Sequence, residues 1–148
     1  MTRLKWTWHY RATEGENPVA RGRLWTNARR NEDGDYQVKK IKGSRDGVRI
    51  DSLLPAGTSI PGNVDTITGK PYLGDNTIRT QDSKTNQAQL TGGGIIFSLE
   101  DGSYSNLFYG TYPPTPSYYE FHSVSPYPNG VVSPNTESFI GFKAQIIN

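Results

Sequence analysis

The 148-residue chain contains no cysteine. Disulfides and thiolate metal sites are therefore excluded, and cysteine usage says nothing about the redox compartment. Long apolar runs are missing too: no window approaches the roughly 20 apolar residues of a membrane-spanning helix. The opening stretch, MTRLKWTWHY, alternates apolar with polar residues and has no apolar block of the kind a secretory leader carries. A cytoplasmic location is the expectation, with export reserved for a longer precursor. Strong net charge is absent, at +2, where nucleic-acid-binding domains are usually far more basic. No nucleophile elbow G-x-S-x-G is present. Gly92-Gly93-Gly94 lacks the Lys and the following helix of a phosphate loop, so it reads as the entry to a strand.

What is present is aromatic bulk and punctuation. Nine Tyr, five Phe and three Trp can supply a core at about 150–250 Å² each. Sixteen Gly and ten Pro disfavour long helices. Leu4 to Arg11 alternates over eight residues, which predicts a half-buried strand with Trp6, Trp8 and Tyr10 facing inward. Val19 to Thr26 places Ala20, Gly22 and Leu24 on one face and Arg21, Arg23 and Trp25 on the other. In Tyr36 to Lys42 the phase slips after Val38, and one extra residue at Lys39–Lys40 would restore it as a β-bulge. Asp46-Gly47 predicts a hairpin turn into Val48 and Ile50.

Residues 53–94 lose regular patterning, with Gly or Pro interrupting every candidate element. Ile95 to Leu99, Tyr104 to Tyr109, Tyr118 to Val124 and Glu137 to Ile147 then read as four more strands. The expectation is a single all-β domain over 1–148 of about eight strands. Either an antiparallel β-sandwich of jelly-roll character or a small β-barrel would fit. Its expected core is Trp6, Trp8, Tyr10, Leu24, Tyr36, Val48, Ile50, Ile95, Phe97, Phe108, Phe121 and Phe142.

Several segments form a pattern when read together: Gly22-x-Leu24-x-Thr26, Gly34-x-Tyr36, Ile41-x-Gly43-x-Arg45-x-Gly47-Val48, Leu54-Pro55-x-Gly57, Ile60-Pro61-Gly62-Asn63, Asp75-Asn76 and Asp101-Gly102-x-Tyr104-x-Asn106-x-Phe108-Tyr109. The pattern resembles a group of bacterial, largely cyanobacterial, β-rich proteins of unknown function that often carry a leader and a PEP-CTERM-type sorting segment. The resemblance implies fold and organisation, and no chemistry. This chain departs from the pattern in showing neither segment. It also carries Arg21, Arg23, Lys39, Lys40 and Lys42 where Ser and Thr would be expected.

Charge is unevenly distributed. Residues 1–50 hold 12 Lys/Arg against 6 Asp/Glu, and residues 51–148 hold 4 against 8. If the first three strands are adjacent, Lys5, His9 and Arg11 would lie beside Arg21, Arg23 and Trp25, joined by part of Lys39, Lys40 and Lys42. Such a strip could grip phosphates and stack a base, or meet an acidic protein or another anionic surface. A solvated face balanced by Glu14, Glu16 and Asp35 is the plainer alternative. The reading is a non-enzymatic binding module, with nucleic acid the lesser partner and pairing between edge strands of two copies left open.

The rival reading is a small-ligand carrier or barrel enzyme. Glu120 and His122 fall two apart on one strand and so share a side, with Tyr118, and Asp75 could join them in a pocket. The plainer view makes Glu120 and His122 the exposed face of an ordinary strand. Asn31 to Asp35 superficially resembles a calcium loop, but position twelve is Lys42 in place of the bidentate Glu. No metal or cofactor is expected.

Overall fold

In the computed structural model, residues 3–81, 87–111, 116–131 and 136–147 are described. Nine strands form: β1 (Leu4–Ala12), β2 (Val19–Thr26), β3 (Tyr36–Arg45), β4 (Val48–Leu53), β5 (Thr77–Ile78), β6 (Ile95–Leu99), β7 (Tyr104–Gly110), β8 (Ser117–Ser123) and β9 (Glu137–Ile147). Eight of them close a barrel. Each pairs antiparallel with its neighbour in the order β1-β2-β3-β4-β6-β7-β8-β9, and β9 returns to β1. The short β5 pairs only with the lower end of β3. Of the two architectures the sequence allows, the barrel forms, and closure removes the free edges a sandwich would keep.

The turns follow residue chemistry. Asp46 and Gly47 have φ of 47° and 81°, the pair of positive values that a two-residue hairpin requires. The register between β2 and β3 skips from Trp25↔Lys40 to Thr26↔Val38, so Lys39 is the extra residue of a bulge. Gly22 and Gly43 lie directly opposite each other. A Cβ on Gly22 would sit 2.0 Å from the Lys42 carbonyl oxygen, and one on Gly43 would sit 2.9 Å from Trp8 Cζ2. The two glycines thus let β2 and β3 approach closely and leave room for the Trp8 indole.

At eight strands a barrel interior is just wide enough for side chains or for one small ligand. Here Trp6, Trp8, Tyr10, Leu24, Tyr36, Phe97, Leu107 and Phe142 belong to one buried cluster that fills it. Full burial of each large side chain contributes about 1.5–3 kcal/mol. Trp6 Nε1 donates to Thr26 Oγ1 at 3.0 Å. Trp8 Nε1 is the one buried side-chain polar atom without a partner among the described residues.

Phe108 and Phe121 are not in that interior, as the sequence reading had them. They lie on the outer face of β7 and β8, in a second cluster with Ile60, Ile96, Leu54 and Tyr104. The irregular segment 54–74 covers this face. Leu54 N donates to Ile96 O at 3.0 Å, Asn63 Nδ2 to Asn106 Oδ1 at 2.9 Å, and Ser123 Oγ to Pro61 O. Gly74 is the point of closest approach, because a Cβ there would stand 2.7 Å from an Ile96 methyl carbon. Asn76, at φ 54°, pins the end of the cover: its side chain donates to Leu54 O at 2.7 Å and accepts from Ile96 N at 3.0 Å.

Candidate functional site

Strand alternation and register place the cationic residues together. His9 pairs with Arg21 and Lys143, Lys5 with Trp25, Arg23 with Lys42, and Trp25 with Lys40. Their partners in alternation (Trp6, Trp8, Tyr10, Leu24, Ile41) are buried, so the charged set points outward. Lys5, His9, Arg11, Arg21, Arg23, Lys40 and Lys42 are all exposed, and the bulge leaves Lys39 exposed beside Lys40. The structure therefore brings together Lys5, His9, Arg11, Arg21, Arg23, Trp25 and Lys39, the residues that the sequence proposed for this face, with Lys40 and Lys42 beside them. It adds Lys143 from β9 and Arg49 from β4, which sequence order hid because those strands come later in the chain.

Electrostatics make this wall unlike the rest of the surface. Among the described residues the ion pairs are Arg45–Asp46, Arg45–Glu120 and Arg79–Asp35, none involving a side chain of the wall. Glu14 and Glu16 lie in the β1–β2 turn and form no ion pair with the wall among the described residues, and Asp35 pairs with Arg79. Trp25, on the outer face of β2, is flanked from β1 by Lys5 and from β3 by Lys40, whose Nζ atoms lie 5.9 and 5.0 Å from its ring centroid. A groove of about 680 Å³ continues the wall between β3 and β4. Lys39, Lys40, Lys42 and Arg49 line it, together with Asp51 and Glu100.

The second constellation is arranged differently from the sequence reading. Glu120 is only 1% exposed and points into the barrel, which corrects its assignment to an exposed strand face. Tyr10 Oη donates to Glu120 Oε2 at 2.6 Å, while Arg45 grips both oxygens with Nε and Nη2, each at 2.7 Å. Ser105 Oγ donates to Oε2 at 2.9 Å and lies 2.9 Å from His122 Nδ1. Since the serine proton is already engaged, Nδ1 of the half-buried His122 is the donor in that contact.

Burial alone would raise the Glu120 carboxyl pKa, but the Arg45 hydrogen bonds and charge, with the Tyr10 hydroxyl, bring it below the ordinary value. Burial, then the Glu120 charge, push the Tyr10 hydroxyl well up. Burial and the Arg45 charge push His122 down, against the pull of Glu120 and Asp101. Ser105 is fully buried, so the serine–histidine contact cannot meet a substrate.

Tyr118 and Asp75 do not join this group. Tyr118 Oη accepts from Gln89 N at 2.8 Å near the opposite end of β8. Asp75 accepts from Thr77 N and Oγ1 through Oδ1, and from the Thr91 hydroxyl through Oδ2. A further cleft of about 550 Å³ runs between segment 63–72 and β7. Of its polar groups, Asp65 accepts from Ile67 N, Thr68 N and Tyr72 Oη, and Asn63 and Asn106 are bonded to each other. Among the described residues no three His, Cys, Asp or Glu side chains gather as a metal site needs.

No helix among the described residues is long and apolar enough to cross a membrane. The outward positions of β1 to β3 carry Lys and Arg where a lipid-facing barrel wall carries an apolar band. Compared with known protein families, curated proteins and solved structures, the chain gives no match.

Proposed function

We propose that the protein is a non-enzymatic interaction module that captures an anionic partner on the outer wall formed by β9, β1, β2 and β3. One observation carries this reading: cationic side chains cluster on the outer faces of β1, β2 and β3, joined by Lys143 from β9, and no carboxylate forms an ion pair with them among the described residues. Holding like charges side by side has no folding benefit, and each would gain from an opposite charge brought by a partner. The carrier and enzyme readings lack comparable support. The barrel interior is filled by its own aromatic side chains, and the Glu120 carboxylate is consumed by Arg45, Tyr10 and Ser105.

Retention on an immobilised poly-glutamate resin tests the proposal. Wild-type protein should elute only as salt approaches about 0.1 M or more, where the screening length falls to about 10 Å. The Arg21→Glu/Arg23→Glu variant should flow through at low salt. Elution of both proteins at the same salt would show that this wall is not the binding surface.

A further inference from the structure

Resting on that reading, we infer that the partner is an extended acidic segment of another protein chain, with carboxylates at alternate residues. Arg21 and Arg23 are two apart on β2, as are Lys40 and Lys42 on β3, and each pair points outward. Strand geometry puts such neighbours about 6.6–6.8 Å apart, with the next strand about 4.8 Å to the side. An extended peptide with acidic residues at every second position repeats its carboxylates at the same interval on one side. Laid along β2, it meets Arg21 and Arg23 in step, and Lys40 and Lys42 stand one strand away. The two guanidinium forks suit bidentate carboxylate contacts.

The same wall disfavours other anionic partners. Single-stranded nucleic acid is held largely by stacking of bases on aromatic rings. Beside the arginines and lysines of β2 and β3 the large aromatic is Trp25, which already has Lys5 and Lys40 against it and is half-buried. Reading a duplex requires an element that enters a groove, whereas this surface is the side of a barrel. A membrane surface needs apolar anchors beside the cations. Among the described residues the exposed large apolar residues on these strands are Val19 on β2 and Phe139 on β9, and the others, Ile67, Tyr72, Leu73, Val124, Tyr127 and Val131, belong to other parts of the molecule.

Fluorescence anisotropy with three labelled probes decides the matter: a peptide of alternating Glu and Ser about ten residues long, a peptide of the same composition with its Glu blocked into adjacent pairs separated by two Ser so that no two lie two residues apart, and an oligothymidine of similar length. Each is titrated with the wild type and with Arg21→Glu/Arg23→Glu, both first shown to be folded by near-ultraviolet circular dichroism. The alternating peptide should bind the wild type about tenfold more tightly than the blocked one, which is about the loss expected for one charge-assisted contact. The double variant should lose it. Equal affinity for the two peptides, both lost in the variant, would overturn the extended-segment inference and leave the anion-binding wall standing. Tighter binding of the oligothymidine would overturn it in favour of nucleic acid. Binding of all probes unchanged by the variant would remove both proposals.

Discussion

Two walls of the same barrel treat their outer faces in opposite ways. The outer positions of β6, β7 and β8 include Ile96, Phe108, Tyr119 and Phe121, and the chain covers much of this face with its own segment 54–74. The outer positions of β1, β2 and β3 are mainly Lys, Arg and His, with Thr7, Val19, Trp25 and Ser44 among them, and the cationic side chains are left exposed. The difference teaches how to read an irregular stretch. Segment 54–74 is long because it completes a second core, with Ile60 fully buried on Ile96 and Phe121. A wall of exposed charge needs no such cover, so its residues are available to something outside the chain. Stability and partner capture should accordingly separate by wall.

The largest effect is expected where the two walls are joined. Tyr10 and Arg45 come from the charged wall, Ser105 and Glu120 from the covered one, and they meet inside the barrel. Glu120→Gln would leave the Arg45 guanidinium, whose side chain is 14% exposed, with only its longer 3.7 Å contact to Asp46 as counter-charge. Breaking one side of a buried pair costs about 3–5 kcal/mol, read as a drop in the urea midpoint at unchanged slope. A loss under about 1 kcal/mol would show that water replaces the carboxylate.

Phe121→Ala tests the covered wall by itself. Deleting a buried aromatic costs about 3–5 kcal/mol, and a site that can collapse falls at the low end. The expected signature is local. Hydrogen exchange should quicken at the amides of 54–74, notably Leu54, Gly57 and Gly74, while amides of β1 and β2 keep their protection. Uniform loss of protection would mean that cover and barrel unfold as one unit.

A smaller effect concerns pH. His122 is held below its ordinary value, so the folded state resists its protonation. Its contribution is complete above the unfolded imidazole pKa of about 6.5 and diminishes as pH falls from there toward the lower folded value. Glu120, also lowered, contributes above the unfolded carboxyl pKa of about 4.3, and that contribution is lost as pH falls through its folded value. Wild-type stability should therefore fall in two stages on acidification. His122→Gln should flatten the first stage and leave the second; a first stage that persists would assign it to another group.

The strands were legible because alternation survives wherever one face meets water. Trp6, Trp8 and Tyr10 against Lys5, Thr7 and His9 is such a case, and the bulge at Lys39 showed as a slip in phase. The β8 stretch Tyr118-Tyr119-Glu120-Phe121-His122 was misread for the complementary reason. Covered on the outside and packed on the inside, it has no wet face, so hydrophobicity pointed Phe121 inward and left Glu120 outside. Its partner Arg45 is 75 positions away, and nothing in a single sequence links the two. The charged wall was visible in β1 to β3, which are consecutive. Lys143 could be placed there only once β9 was known to close the barrel onto β1.

The smallest expected effect is the one that most sharply separates the walls. Arg21→Glu/Arg23→Glu changes the wall charge by four units, yet both side chains are exposed and neither has an ion pair among the described residues. Surface changes away from packed features usually stay within about 0.5 kcal/mol. The direction should be toward stability at low salt, because the introduced carboxylates stand opposite His9 and Lys42 across the ladder and relieve like-charge crowding. Added salt should erase the gain, since exposed charges beyond a screening length are decoupled. Matched urea curves at low and high salt provide the measurement. A loss of more than about 1 kcal/mol would make these arginines part of the fold, and the contrast between a structural wall and a binding wall would not hold.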